Sequence, residues 1–252
     1  MRITVDDRNA PDPMSEKFGA HEDYWPNILD TCKSLGLTVR GVSFHVGSGG
    51  CSFKSYRESI LNARKVFELA KEKGMQDMDI LDIGGGFSMS SEHSENNFDV
   101  VAPQIQNMLT NVFPGDNKNI RVIGEPGRNM TQDAMSLAVK IFLARQHGPN
   151  CRHYFVNNGI YQGFGCQIFE NLPFFKGQPL LSEKEYKKRI EQEQISYIWG
   201  QTCDGVDWLT KNKPFPFMNK DEWIIYRNVG AYGSVVATTF NGYQIPKIHY
   251  LS

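Results

Sequence analysis

The apolar run at residues 81–83 is followed by three consecutive glycines, Gly84, Gly85 and Gly86. Residues without a Cβ allow a positive φ and a close approach of a ligand to the backbone. The amide N–H groups of such a turn can bind an anion, most often a phosphate. The alternative is a turn that merely requires small residues, and the glycines alone do not decide between the two.

Four further side chains with useful chemistry follow other apolar runs of the first half: His45, Ser48, Glu125 and Arg128. Strands are predicted at residues 2–5, 39–45, 79–83 and 120–123, and helices at residues 24–35, 56–73 and 97–112. This alternation predicts a parallel sheet, and in such sheets binding sites form beyond the carboxyl ends of the strands. We therefore expect the four side chains to meet the glycines at one edge. Small turn residues alone would not explain a histidine, a glutamate and an arginine there.

The second half has a different pattern, with short apolar runs and one charged helical segment. Residues 135–144 are rich in alternating apolar residues, short strands are predicted at residues 152–157, 223–227, 235–239 and 247–251, and helical material at residues 183–194. The pattern favours a mainly antiparallel β domain. The sequence thus predicts two domains, residues 1–130 and residues 131–252.

A loop in the second half combines a thiol with two carboxylates, Cys203, Asp204 and Asp207, between glycines. A cysteine beside an acid can act as a proton donor or a nucleophile. From this loop alone, a buried cysteine and a turn aspartate are the favoured interpretation. Tyr161, Glu170 and Tyr232 also follow strands or turns and can equally be packing residues.

Composition excludes several classes of protein. The chain has 252 residues, a net charge of −1 and 40% hydrophobic residues, as in ordinary globular proteins. The near-neutral charge gives no electrostatic basis for nucleic acid or membrane binding. No apolar run is long enough to span a bilayer, and residues 1–7 do not form a signal peptide. Five scattered cysteines without CxxC spacing favour reduced thiols in the cytoplasm over disulfides or a metal site.

The motifs together resemble the eukaryotic-type ornithine decarboxylases, which are pyridoxal phosphate enzymes. The resemblance covers essentially the whole chain, in the order of the family, through residues 41–49, 81–87, 125–128, 199–207, 230–232 and 240–242. It implies the C-terminal half of an alanine-racemase-like TIM (β/α)8 barrel followed by a mainly antiparallel β-sandwich or barrel domain. It also implies decarboxylation of L-ornithine to putrescine, a step of polyamine biosynthesis, in a cytoplasmic homodimer.

The resemblance also implies roles for individual residues. The cofactor phosphate would be bound by Ser48, Gly84, Gly85, Gly86, Arg128 and Tyr232. His45 would stack on the pyridine ring, and Glu125 would hold the ring nitrogen protonated. In the family, the second-half loop crosses the dimer interface.

In that loop, Cys203 would be the proton donor to Cα at the partner's cofactor. Asp204 and Glu170 would bind the distal ammonium of the substrate. Lys17 and Asp207 would form a contact between the two subunits.

Three departures from the family pattern affect the expected function. The lysine that binds the cofactor aldehyde lies upstream of Met1 in the family, as do half of the barrel and the antizyme-binding segment. We therefore expect this chain alone to be inactive and not to bind antizyme. Glu170 stands where the family usually has aspartate, which leaves the substrate chain length open between ornithine, lysine and arginine. Asn129 replaces a residue that is usually aromatic. The remaining alternative is a non-catalytic homologue similar to the antizyme inhibitors.

Overall fold

The computed structural model describes residues 1–48, 52–87, 98–114, 120–165, 167 and 176–251. The chain divides into two compact units, Met1–Asn129 and Met130–Ser252. Within the described residues, no helix combines the length and the apolar character that a membrane span requires.

The first unit contains a parallel sheet with helices between its strands. The strands are β1 (Gly41–Ser43), β2 (Ile80–Asp82) and β3 (Arg121–Ile123), paired in the order β1-β2-β3. The helices are α1 (Trp25–Ser34), α2 (Phe53–Glu72) and α3 (Phe98–Val112). The predicted strand at residues 2–5 is wrong in extent: it forms only isolated bridges, from Arg2 to Ser43 and from Ile3 to Ala20.

Helix α2 illustrates how the sequence pattern builds this unit. Its apolar residues recur at helical spacing, and Ile60, Ala63, Val66 and Ala70 are fully buried in the core. The helix ends before Gly74, whose φ of +80° is readily accessible only to glycine. Since Val42 of β1 and Leu81 of β2 are also buried, the opposite faces of these strands carry Ser43 and Asp82.

The second unit is built on a mixed sheet with the strand order β6-β9-β4-β5-β7-β8. Its strands are β4 (Leu137–Gln146), β5 (Cys151–Val156), β6 (Gly177–Pro179), β7 (Gln194–Trp199), β8 (Trp208–Phe215) and β9 (Trp223–Tyr226). All neighbouring pairs are antiparallel except β5 and β7, which are parallel. The short helices are α4 (Arg128–Thr131), at the boundary of the units, and α5 (Glu183–Ile190), which confirms the predicted helical material.

Two predicted strands of the second unit are wrong. Residues 235–239 include part of a 3₁₀ turn, Ser234–Val236, and residues 247–251 form no regular element. The side chains of Val235, Ile248, Tyr250 and Leu251 are exposed, so an apolar run alone did not place these segments in the sheet.

Candidate active site

The three glycines follow β2 after Ile83, and two of them have a backbone conformation that favours glycine. Gly84 has φ +66° and Gly86 has φ +94°. A Cβ on Gly84 would overlap the carbonyl oxygen of Phe44. A Cβ on Gly85 would lie 2.6 Å from the carbonyl oxygen of Glu125 and 2.9 Å from Nε2 of His45. The turn therefore lies directly against the segments that follow β1 and β3, as the parallel sheet predicts.

Hydrogen bonds hold the glycine turn to its neighbours. The backbone N–H of Glu125 donates to the Gly84 carbonyl at 2.8 Å. The Gly84 N–H donates to Oδ1 of Asp82 at 2.9 Å, and the buried hydroxyl of Tyr56 donates to the Gly85 carbonyl at 2.7 Å. The turn is thus fixed by β2, β3 and α2 together, which preorganises its backbone.

His45 follows β1 and is half-buried beside Gly85. Its Nδ1 accepts a hydrogen bond from the Gly47 N–H at 3.1 Å, so Nδ1 carries no proton in this arrangement. Burial lowers the pKa of His45 from 6.5, and the nearby Arg2 guanidinium lowers it further. The ring is therefore held in its neutral form at neutral pH, which suits stacking on a flat aromatic ring.

Glu125 follows β3 on the other side of the glycine turn. Glu125 is exposed, but desolvation by the neighbouring protein raises the pKa of its carboxyl group from 4.5, and charge repulsion and a hydrogen bond with Asp82 add to this. A cation bound at this position, such as a protonated ring nitrogen, would favour the ionised form of Glu125. Asp82 is a site residue that sequence reasoning missed, although it stands in the quoted glycine motif.

Ser48 follows His45 in the segment after β1, and Arg128 follows Glu125 in the segment after β3. The backbone of Ser48 pairs with Asp12 through hydrogen bonds of 3.0 and 3.4 Å. Arg128 begins α4, three residues after Glu125, and its side chain is only 8% exposed. Both residues lie beyond the carboxyl ends of the strands, as predicted, and their contacts with a phosphate remain a prediction.

These residues fit a pyridoxal phosphate group chemically. The glycine turn offers a backbone surface without Cβ atoms, where a phosphate can approach amide N–H groups. Arg128 supplies a cation and Ser48 a hydroxyl, while His45 and Glu125 supply an aromatic ring and a carboxylate. This donor set matches a phosphate ester at one end and a pyridine ring at the other.

The second unit holds the predicted proton donor and the predicted ammonium-binding acid side by side. Cys203 is exposed, and its Sγ accepts a hydrogen bond from Nδ2 of Asn241 at 3.1 Å. Asp204 accepts a short hydrogen bond from the Tyr161 hydroxyl and one of 3.1 Å from the Val206 N–H. The Tyr161 hydrogen bond lowers the pKa of Asp204 and raises that of Tyr161 to about 12.

The buried carboxylate of Asp207 holds this loop together through hydrogen bonds. Its side chain is 1% exposed. Its carboxylate accepts hydrogen bonds from the Ile160 N–H at 3.0 Å, the Thr202 N–H at 3.0 Å and the Thr202 hydroxyl at 2.7 Å. A Cβ on Gly200 would overlap the same carboxylate, so the loop wraps closely around it.

The predicted contact between Asp207 and Lys17 of a partner subunit stays a prediction. Lys17 is exposed, and its ammonium lies 5.1 Å from the centre of the Phe18 ring. Both Asp207 oxygens already bind donors of their own chain, so a contact with Lys17 would add to this buried network.

For Tyr232 and Glu170, the structure gives little information on the predicted roles. Tyr232 belongs to the second unit, has φ +52° and is 46% exposed, so its role towards the phosphate stays a prediction. Glu170 lies outside the described residues. Tyr56, Asp82 and Asn241 were missed, because their contacts join segments that are distant in sequence. The positions of Asp82 in the motif at residues 81–87 and of Asn241 in the motif at residues 240–242 were the signals that could have found two of them.

Comparison with known proteins identifies the family. Residues 1–132 match the family described as "Pyridoxal-dependent decarboxylase, pyridoxal binding domain", which is more than half of the chain. The chain is 36% identical over 261 residues to ornithine decarboxylase of Cricetulus griseus, covering 100% of this chain and 56% of that protein. It is 35% identical over 263 residues to antizyme inhibitor 2 of Xenopus laevis, covering 99% of this chain and 56% of that protein.

Solved structures give the same assignment. The arginine decarboxylase of Paramecium bursaria Chlorella virus, bound to agmatine, is similar with a TM-score of 0.84 and 32% identity. The match covers 96% of this chain and 63% of that one. The chain therefore spans little more than half the length of the relatives it matches. The predicted cofactor, pyridoxal phosphate, is confirmed at the level of the family, and the chain belongs to the pyridoxal-dependent ornithine, lysine and arginine decarboxylases.

Proposed function

We propose that this protein takes part in the pyridoxal phosphate-dependent decarboxylation of a basic amino acid, with L-ornithine as substrate and putrescine as product. The observation that supports this best is the glycine turn, where His45 and Glu125 flank a surface that only Gly85 can leave open. The proposed setting is polyamine biosynthesis in the cytoplasm, in a homodimer that shares its active sites.

Bound pyridoxal phosphate would supply the electron sink for the electron pair of the bond between Cα and the carboxylate. The backbone of Gly84, Gly85 and Gly86, with Arg128 and Ser48, would bind the phosphate. His45, held neutral, would cover the ring, and Glu125 would hold a proton at the ring nitrogen.

Residues of the second unit would act on the substrate. The Cys203 thiol would deliver a proton to the carbon that has lost its carboxylate. Asp204, kept ionised by the Tyr161 hydroxyl, would bind the distal ammonium together with Glu170. Lys17 and Asp207 would support the contact between subunits.

We further propose that residues 1–252 alone bind the cofactor without sustained turnover. Among the described residues, the largest charge effects on the pKa values of His45 and Glu125 come from Arg2 and nearby aspartates, and none of these groups is a lysine. An amine from lysine is the usual protein group that binds the cofactor aldehyde. An antizyme inhibitor-like role is the second candidate, supported by the similarity to antizyme inhibitor 2.

The test combines cofactor binding with release of CO₂ from ornithine, lysine and arginine. We expect residues 1–252 to bind pyridoxal phosphate in a calorimetric titration and to release less than one CO₂ per site. Failure to bind the cofactor would overturn the proposed function and favour the non-catalytic role. Repeated turnover would overturn the proposed inactivity, and its rate with each amino acid would identify the substrate.

A further inference from the structure

The thiol of Cys203 is held by a side chain that the proposed function does not use. Nδ2 of Asn241 donates to Sγ at 3.1 Å and joins two segments that are 38 residues apart. Asn241 has φ +58° and Gly242 has φ +78°, within the 3₁₀ turn Phe240–Gly242. Asparagine tolerates this left-handed conformation better than most residues, so the backbone itself presents the amide to the sulfur.

The segment that carries Asn241 is anchored to the neighbouring residue of the same site. The Phe240 ring lies 4.4 Å from the ring of Tyr161, and the Thr238 N–H donates to the Tyr161 carbonyl at 2.7 Å. The Tyr161 hydroxyl in turn donates to Asp204, which follows Cys203. Tyr161 therefore contacts both the segment that carries Asn241 and the loop that carries Cys203.

An amide N–H donor constrains a thiol in two ways. It occupies a lone pair of the sulfur, so the S–H proton must point elsewhere. It also stabilises the anion that remains once the proton has left, because a hydrogen bond to a charged acceptor is stronger than one to a neutral acceptor. Both effects favour delivery of the proton away from Asn241.

We propose that Asn241 is a positioning residue for Cys203, which directs the S–H proton to the substrate and stabilises the resulting thiolate. The S–H bond breaks, a C–H bond forms at the carbon that has lost CO₂, and the sulfur keeps the electron pair. This inference rests on the proposed function for one point, the transfer of the proton to the substrate. The contact with the sulfur is independent of it.

The test measures alkylation of Cys203 by iodoacetamide at neutral pH in the full chain, without cofactor or substrate. Mass spectrometry of the peptide that contains residue 203 separates this cysteine from the others. Asn241→Gly removes the amide and keeps the left-handed backbone. Asn241→Asp keeps shape and backbone but replaces the donor with a negative charge. Asn212→Gly, at another left-handed asparagine of the same unit, is the matched control.

We expect alkylation about two- to fivefold slower in Asn241→Gly and slower still in Asn241→Asp, with the rate of Asn212→Gly unchanged. For an exposed thiol such as Cys203, one hydrogen bond changes the thiolate population by about tenfold, and the lower intrinsic reactivity of a stabilised thiolate offsets part of this. The melting temperature of each variant shows whether it folds. Alkylation rates are compared only between variants that have the melting temperature of the wild type.

Two results would overturn the inference. Equal alkylation rates in wild type and Asn241→Gly would show that the amide does not act on the sulfur. Faster alkylation in Asn241→Gly, with Asn241→Asp like wild type, would show that the side chain only shields it. Because no cofactor is present, these results bear on Asn241 alone, whereas failure of cofactor binding would bear on the proposed function.

Discussion

Replacement of Gly85 by alanine should place a methyl group on the surface of the glycine turn, where we propose that the cofactor binds. The new Cβ would lie 2.6 Å from the Glu125 carbonyl oxygen and 2.9 Å from His45 Nε2. Ordinary Cβ contacts begin near 3.4 Å, so the Glu125 backbone would need to move by about 0.8 Å. Gly85 does not have a positive φ, so the effect is steric and involves no backbone strain.

The expected magnitude follows from the cost of inserting a methyl group into a closely packed site. Such overpacking costs about 1–3 kcal/mol. For a unit of this size, that is a fall of roughly 3–10 °C in melting temperature. If the strain is relieved by opening the turn, affinity for pyridoxal phosphate falls by about five- to a hundredfold, since about 1.4 kcal/mol is a factor of ten.

The assay is calorimetric titration with pyridoxal phosphate, alongside thermal unfolding. Gly124→Ala is the matched control in the same unit. Among the atoms of the described residues, its new Cβ would meet only Phe87 Cε2 and Pro126 Cδ, both at 4.0 Å. Gly124→Ala should therefore bind the cofactor like wild type. Unchanged affinity in Gly85→Ala would refute the assignment of this turn as the phosphate site, and equal losses in both variants would refute the steric argument.

Three further predictions follow from buried or hydrogen-bonded groups. Asp207→Ala should lower the free energy of unfolding of the second unit by about 2–4 kcal/mol, because several buried donors lose their acceptor; urea unfolding that matches wild type would contradict this. Tyr161→Phe should remove one phenol that ionises with a pKa of about 12 from the ultraviolet titration, and loss of an ordinary phenol instead would contradict the hydrogen bond to Asp204. The lowered pKa of His45 means that the unfolded chain binds more protons below pH 6.5, so the free energy of unfolding should fall as pH falls through that window. His45→Gln should remove the part of the pH dependence of the free energy of unfolding that comes from His45, which is at most about 1.4 kcal/mol per pH unit. An unchanged pH dependence would contradict the lowered pKa of His45.

The first unit could be predicted from sequence because its signals are local. The helical spacing of the buried residues of α2 and the glycine after it define an element without tertiary information. The motif residues His45, Gly84 and Glu125 meet because parallel strands end at one edge, which follows from topology alone.

The second unit was harder to predict because its strands depend on pairing partners. Strand β8 has exposed residues along much of its length, so its apolar alternation is weak. Residues 235–239 have an apolar run but pair with no strand among the described residues. The contact from Asn241 to Cys203 joins distant segments, and no local pattern announces it.

We propose that the glycine turn binds the phosphate of pyridoxal phosphate. The most direct measurement is a calorimetric titration of the unmodified chain with pyridoxal phosphate and, separately, with pyridoxal. We expect binding of pyridoxal phosphate and at least about tenfold weaker binding of pyridoxal, since the charge-assisted hydrogen bonds to the phosphate are lost. Equal affinity for the two compounds, or no binding of either, would contradict it.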